Sequence, residues 1–188
     1  MFIQTEATPN PQVLKFLPGR QLLPGGSRQF ATAEEATASP LAKALFGLGG
    51  VTRVYFGDDF LTVSKHPDVD WSHLKAPILA EIMDHFTSGL PLLLGEDEDL
   101  GSAEVYEGET AQVVAEIKDL IDTRIRPAVA QDGGDILFAR FEPDTGVVYL
   151  NMRGACSGCP SSAATLKAGV ENLLRHYVPE VTRVEQTL

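Results

Sequence analysis

Cysteine is scarce in this chain. There are two among 188 residues, both inside one Cys-x-x-Cys, which excludes a disulfide-stapled scaffold. Bases are few as well, 15 against 26 acids, for a net charge of -11. A protein that tracks phosphates needs a basic face, so no nucleic-acid partner is expected. No apolar run approaches the roughly 18 residues of a membrane span. Met1-Phe2-Ile3-Gln4-Thr5-Glu6 has neither the positive start nor the apolar stretch of a signal peptide, and it is not Arg- and Ser-rich like a transit peptide. The expectation is a soluble intracellular protein with no membrane partner. What remains is ordinary globular composition, with 44% hydrophobic and 22% charged residues.

The length allows one domain or two small ones at about 100–200 residues each, and the charge distribution favours two. Residues 90–109 hold seven acids (Glu96, Asp97, Glu98, Asp99, Glu104, Glu107, Glu109) and no base, while the flanking segments are nearly balanced. Such a run, interrupted by Gly95, Gly101 and Gly108, self-repels and reads as a flexible acidic linker. Leu92-Leu93-Leu94 at its start offers an apolar stretch that can dock on the first domain or on a partner. A calcium loop at Glu96–Asp99 lacks the EF-hand spacing and closing Glu.

Residues 1–89 read as ββαββα. Strands are expected over Phe2–Thr8, Gln12–Leu17, Val51–Phe56 and Phe60–Lys65, with turns at Pro9-Asn10-Pro11 and Gly57-Asp58-Asp59. Ser39-Pro40 opens one helix and Asp70 caps another, whose Leu74, Ile78, Ile82 and Phe86 recur every fourth residue. Pro77 implies a kink or a late start in that helix. Residues 110–188 read as αββαβ. The first helix carries Val113, Val114, Ile117, Leu120, Ile121 and Ile125, is interrupted at Arg126-Pro127, and ends at Gln131-Asp132-Gly133-Gly134. A hairpin, Asp135–Phe141 with Val147–Met152, leads to the cysteines. The Pro160 helix then presents Leu166, Val170, Leu173, Leu174 and Tyr177, and Val181–Gln186 forms a last strand. The fold class is α+β, two small domains with helices packed on sheets.

Cys156-Ser157-Gly158-Cys159 lies between a strand and the Pro160 helix. Two thiolates at this spacing converge on one metal or form an easily reduced disulfide. A helix N-terminus and nearby Arg153 would lower the thiol pKa, and the small neighbours leave room for a bulky inorganic group. Incidental thiols are the bland reading. A thioredoxin-like dithiol–disulfide oxidoreductase, with Cys156 attacking, fits the spacing, but the proline follows the second cysteine and no βαβ unit precedes it. Zinc needs four ligands; His66, His73 and His85 fall in the other domain, and His176 is about 24 Å along the helix. An iron–sulfur cluster takes four thiolates, which two chains would supply. The remaining polar motifs have bland readings. Asp132-Gly133-Gly134-Asp135 is turn chemistry, Gly47-Leu48-Gly49-Gly50 a helix stop, Ser161-Ser162 a helix start, and His66, Asp68 and Asp70 a poor metal triad.

Arg126-Pro127, Asp132-Gly133-Gly134-Asp135 and Gly154-Ala155-Cys156-Ser157-Gly158-Cys159-Pro160-Ser161-Ser162, in that order, resemble the C-terminal domain of NifU-like (Nfu) iron–sulfur scaffold proteins. Residues 1–88, opening Phe2-Ile3-Gln4-Thr5-Glu6-Ala7-Thr8-Pro9-Asn10-Pro11, resemble the N-terminal domain of mitochondrial and α-proteobacterial Nfu proteins, for which client recognition is suspected. The resemblance implies a carrier and not an enzyme. It would take up a [4Fe–4S] cluster from a donor scaffold, hold it through Cys156 and Cys159 at a homodimer interface, and pass it to apo-proteins such as lipoyl synthase and aconitase-like enzymes. The U-type domain and ferredoxin-like cysteines of full-length NifU are absent, so assembly of clusters de novo is not implied. A bacterial cytoplasm fits the missing presequence, and a processed mitochondrial matrix protein would look the same.

Overall fold

A computed structural model describes residues 2–95, 104–157 and 160–187, the side chains of 160–162 excepted. The chain divides into two compact units, Met1–Asp97 and Glu98–Leu188. Of the acidic segment, residues 96–103 lie outside the described residues.

In the N-terminal unit the strands are β1 (Gln4–Ala7), β2 (Val13–Leu17), β3 (Arg28–Phe30), β4 (Val51–Phe56) and β5 (Leu61–Lys65). They form an antiparallel sheet in the order β1-β2-β5-β4-β3. The expected ββαββα order therefore gains a strand. β3 is three residues long, too short to show a period of two, and exists because β4 offers it an edge. Phe30 anchors it, fully buried and edge-on to Phe56 at 5.6 Å. The turn between β1 and β2 is closed by Asn10, whose Oδ1 accepts from the Gln12 N–H at 3.0 Å.

Helices α1 (Pro40–Gly47) and α2 (Trp71–Ser88) supply the other layer. Ser39 caps α1 by accepting from the Ala42 N–H at 3.1 Å, and Asp70 caps α2 by accepting from the Ser72 N–H at 2.8 Å. α2 runs through Pro77 from Trp71 to Ser88, so the late start does not occur. The proline deprives only the His73 carbonyl of its donor, and His73 is exposed, where water can serve. Leu74, Ile78 and Ile82 join Phe16, Leu45, Val54, Leu61 and Val63 in one core. Leu92 and Leu93 pack against that core, and the Leu94 N–H donates to the Ala38 carbonyl at 2.7 Å. The apolar start of the acidic segment is thus part of the first unit.

The C-terminal unit contains α3 (Gly108–Leu120), a π-helical turn (Ile121–Ile125), α4 (Arg126–Gln131), β6 (Gly134–Glu142), β7 (Val147–Gly154), α5 (Pro160–Tyr177) and β8 (Arg183–Thr187). The αββαβ order is as expected. β7 is central, antiparallel to β6 and parallel to β8. The π-turn is the response to Pro127. The Arg126 N–H reaches back five residues to the Ile121 carbonyl, and the wider turn makes room for a ring that cannot donate. Ile117, Ile121, Ile136, Val148, Leu150, Leu174 and Val184 centre the core. Tyr177 departs from the expected apolar face: it is 43% exposed, with the Arg124 guanidinium 5.0 Å from its ring.

His85, on α2, is buried, and its Nε2 has no hydrogen-bond partner among the described residues. Burial, and secondarily the Arg20 charge, push its pKa below the ordinary 6.5. A histidine kept neutral in the folded state binds fewer protons than in the unfolded chain. Its contribution is therefore complete above pH 6.5 and is lost as pH falls below that value toward the folded pKa. Trp71 is the only tryptophan and lies in this unit, so its fluorescence follows this unit's unfolding. The urea midpoint should fall between pH 7.5 and 5.5, and His85→Phe should flatten that fall; an unchanged slope in the variant would remove His85 as the cause.

Candidate functional site

The cysteine loop begins where β7 ends. Gly154 has φ +65°, a conformation that L side chains rarely adopt, and it turns the chain out of the strand. The turn is closed by the Ser157 N–H and hydroxyl, both donating to the Gly154 carbonyl at 3.1 and 2.8 Å. Across the sheet, Gly154 pairs with Gly134 at the start of β6. The Ala155 N–H donates to the Gly133 carbonyl at 3.1 Å. Asp132-Gly133-Gly134-Asp135 and the cysteine turn are thus one structure.

The two glycines of that motif do different work. Gly133, at φ +78°, permits the reversal from α4 into β6. Gly134 does not adopt positive φ; its missing side chain matters. A Cβ there would collide with Cys156 Sγ and crowd the Arg153 carbonyl at 3.0 Å. Gly134 is the floor on which the sulfur rests, a role that turn chemistry alone did not reveal.

Asp135 fixes this floor. Its carboxylate is buried and accepts from Arg126 through two bonds, Nε to Oδ1 at 2.8 Å and Nη2 to Oδ2 at 3.0 Å. Oδ1 also accepts from the Ile136 N–H at 2.8 Å. Arg126 reaches Asp122 as well, at 3.2 Å. The hydrogen bonds to Asp135 hold its pKa above the ordinary arginine value. Sequence reasoning saw Arg126 as part of a helix interruption and of a family motif, not as the partner of Asp135. The spacing Arg126…Asp135, one π-turn-started helix and one turn apart, brings the pair together only once the fold is known.

Cys156 itself is 8% exposed, which corrects the expectation of an open, low-pKa thiol. Burial, then the nearby charges of Asp132 and Asp135, push its pKa up to about 12. The sulfur lies back against Gly134. Cys159 lies outside the described residues. Among the described residues no three His, Cys, Asp or Glu side chains converge on a metal-sized point. His66 pairs with Asp68 at 3.3 Å on the surface, Asp70 is a cap, and His176 stacks edge-on with Tyr177.

Residues 3–89 match the family model described as scaffold protein Nfu/NifU N terminal, and residues 117–185 match the NifU-like domain. The chain is 50% identical over 186 residues to "NifU-like protein 4, mitochondrial" of Arabidopsis thaliana, covering 99% of this chain and 66% of that one. It is also 50% identical over 189 residues to the "NFU1 iron-sulfur cluster scaffold homolog, mitochondrial" of Homo sapiens, covering 100% and 72%. The chain belongs to the NifU-like (Nfu) family. It spans about two thirds of the length of these relatives. A solution structure of a NifU-like protein from Saccharomyces cerevisiae aligns with 51% of this chain and 87% of its own, at TM-score 0.47 and 31% identity. Within this Nfu chain, described residues of the three motifs are linked: Arg126 bonds Asp135, and Gly134 lies against Cys156.

Removing Arg126 leaves the Asp135 charge buried and unpaired. Arg126→Leu should cost the C-terminal unit about 3 kcal/mol, the low end for breaking a buried pair, because Arg126 is a quarter exposed. Amide exchange at Ile136 and Leu150 would report it. Gly134→Ala should keep the helical circular dichroism and speed alkylation of Cys156 by evicting its sulfur. An alkylation rate equal to that of the parent would refute the floor role.

Proposed function

We propose that the chain is a carrier of iron–sulfur clusters, with the cluster as cargo: a [4Fe–4S] cluster held between two copies, each giving Cys156 and Cys159. The observation that carries this reading is the ligand count. A cluster of this type takes four thiolates, each chain has two, and both are in one loop. Family membership and the names of the relatives support a scaffold role. The chemistry of the loop agrees: sulfur ligands suit iron, and Gly134 puts no side chain between its backbone and the Cys156 sulfur. In this reading the Cys156 side chain leaves the Gly134 floor when it ligates, and separation of the two chains removes half the ligands at once. A cluster held so is easily passed on. The chain turns over no small molecule, receives its cargo from a donor scaffold, and hands it to apo-proteins. The compartment is one that keeps thiols reduced, a mitochondrial matrix as for the named relatives, or a bacterial cytoplasm.

The N-terminal unit has no cysteine and serves recognition of clients or partners, with the acidic segment as the tether between units. Limited proteolysis of the apo-protein should cut between Gly95 and Val105 and leave two stable fragments. A single protected core would rule the tether out.

Sedimentation of apo and reconstituted protein, with iron and sulfide counted, tests the cargo. A mostly monomeric apo form and a dimer with two irons and two sulfides per chain are expected, and Cys156→Ser or Cys159→Ser should each abolish stable loading. A loaded monomer with four irons, or a serine variant that keeps its cluster absorbance, would overturn the bridging reading. Insulin reduction without cluster uptake would favour the oxidoreductase instead.

A further inference from the structure

The two sheets treat their edges differently. In the C-terminal unit, side chains occupy the edge N–H groups. The Tyr106 hydroxyl accepts from Phe141 at 2.8 Å and Asp135 from Ile136 on β6, and Glu171 Oε2 accepts from Val184 at 3.1 Å on β8. Such caps deter the addition of a foreign strand. β1, an edge of the five-stranded sheet, has no such cover: no described side chain bonds the backbone of Gln4–Ala7, and the strand is largely exposed.

Two cavities meet at the Gln4 end of this open edge. The first, about 390 Å³, is lined by Phe2 and Gln4, by Leu17 of β2, and by Arg20 and Asp59. The second, about 220 Å³, shares Arg20 and Gln21 and continues over His85, Phe86, Leu90 and Leu92. Arg20 stands between them, stacked on Phe86 at 4.8 Å, with no carboxylate partner among the described residues. His85 lines the second cavity, 95% buried and with the unpartnered Nε2 already noted. Phe2, at 81% exposed, and Leu90, at 54%, stand at the outer walls.

We infer that this corner binds the C-terminal tail of a partner polypeptide, added as a strand to β1 with its terminal carboxylate on Arg20. Three features select this occupant. Every pairing in the sheet is antiparallel, and a strand added to β1 in that sense runs from the Ala7 end toward the Gln4 end, delivering its C-terminus to the cavities. An unpaired guanidinium and an unsatisfied imidazole call for an anionic acceptor, seated on the His85 side of Arg20 and away from Asp59. The second cavity, at about 220 Å³, has room for about one residue, with Leu22, Phe86 and Leu92 as an apolar wall for its side chain. The inference is independent of the cluster reading, since no cysteine takes part.

The test uses the full-length apo-protein and the peptide acetyl-Val-Thr-Val-Leu in three forms: free acid, C-terminal amide, and backbone N-methylated. Binding is followed by amide chemical shifts, with sodium acetate as a separate arm. The free acid should shift the amides of Gln4–Ala7 and the ring signals of His85. Amidation or Arg20→Ala should weaken it about tenfold or more, as expected for loss of a charge-assisted bond. N-methylation should abolish the shifts on β1, and Lys43→Ala should change nothing. Arg20 is exposed, so its variant folds. Shifts that survive amidation, a free acid that leaves Gln4–Ala7 unmoved, or acetate alone reproducing the whole pattern at equal concentration would each overturn the inference. Because the readout needs no iron, its failure and the failure of cluster loading are separate results.

Discussion

The bidentate bond from Arg126 to Asp135 is the constraint on which the rest of the C-terminal unit depends. It ties the start of a helix to the start of a strand across a tight turn, and that turn sets the height of Gly134 under the cysteine sulfur. The helix has to begin at residue 126 for the guanidinium to point inward, and the π-turn is what allows a helix to restart beside Pro127. The chain thus accepts an irregular turn in order to hold one charge pair, and the charge pair holds the loop. A salt bridge on an open surface would be worth little; this one is decided by the burial of Asp135, which has nowhere else to place its charge.

Most of the elements were legible in the sequence because they carry local signals. Ser39-Pro40 and Asp70 open helices through bonds made within three residues, and the spacing of Leu74, Ile78 and Ile82 is a property of one segment. Three features were illegible for a common reason. β3 depends on an edge twenty residues later, the uninterrupted α2 depends on where the His73 carbonyl faces, and the 8% exposure of Cys156 depends on a glycine twenty-two residues earlier. The first and last are settled by partners distant in sequence and the second by the exposure of one carbonyl, and neither periodicity nor spacing registers such surroundings.

The candidate site was legible as chemistry and not as geometry. Two cysteines at this spacing leave a soft metal or a reducible disulfide open, and the motif order points to the family. That the thiol rests buried, its pKa raised and not lowered, follows from the backbone of β6 reaching beneath it. The expectation of a lowered pKa failed because Cys156 is buried against Gly134 and close to Asp132 and Asp135. The N-terminal unit shows the reverse case. Its strands and helices could be drawn from the sequence, but the open edge at β1 and the unpaired Arg20 appear only when the sheet order is known.

β8 gives the C-terminal unit a direction in time. Residues 183–187 run parallel beside β7, and Val184 fills the core beneath it, so the sheet that carries the cysteine turn is incomplete until this strand has been synthesised and has crossed over by way of α5. The N-terminal unit needs nothing beyond Leu94 to close its own core. On the ribosome the first unit can therefore be folded and open to other proteins while the second is still being made. The order in which the chain matures places the N-terminal unit before the cysteine loop.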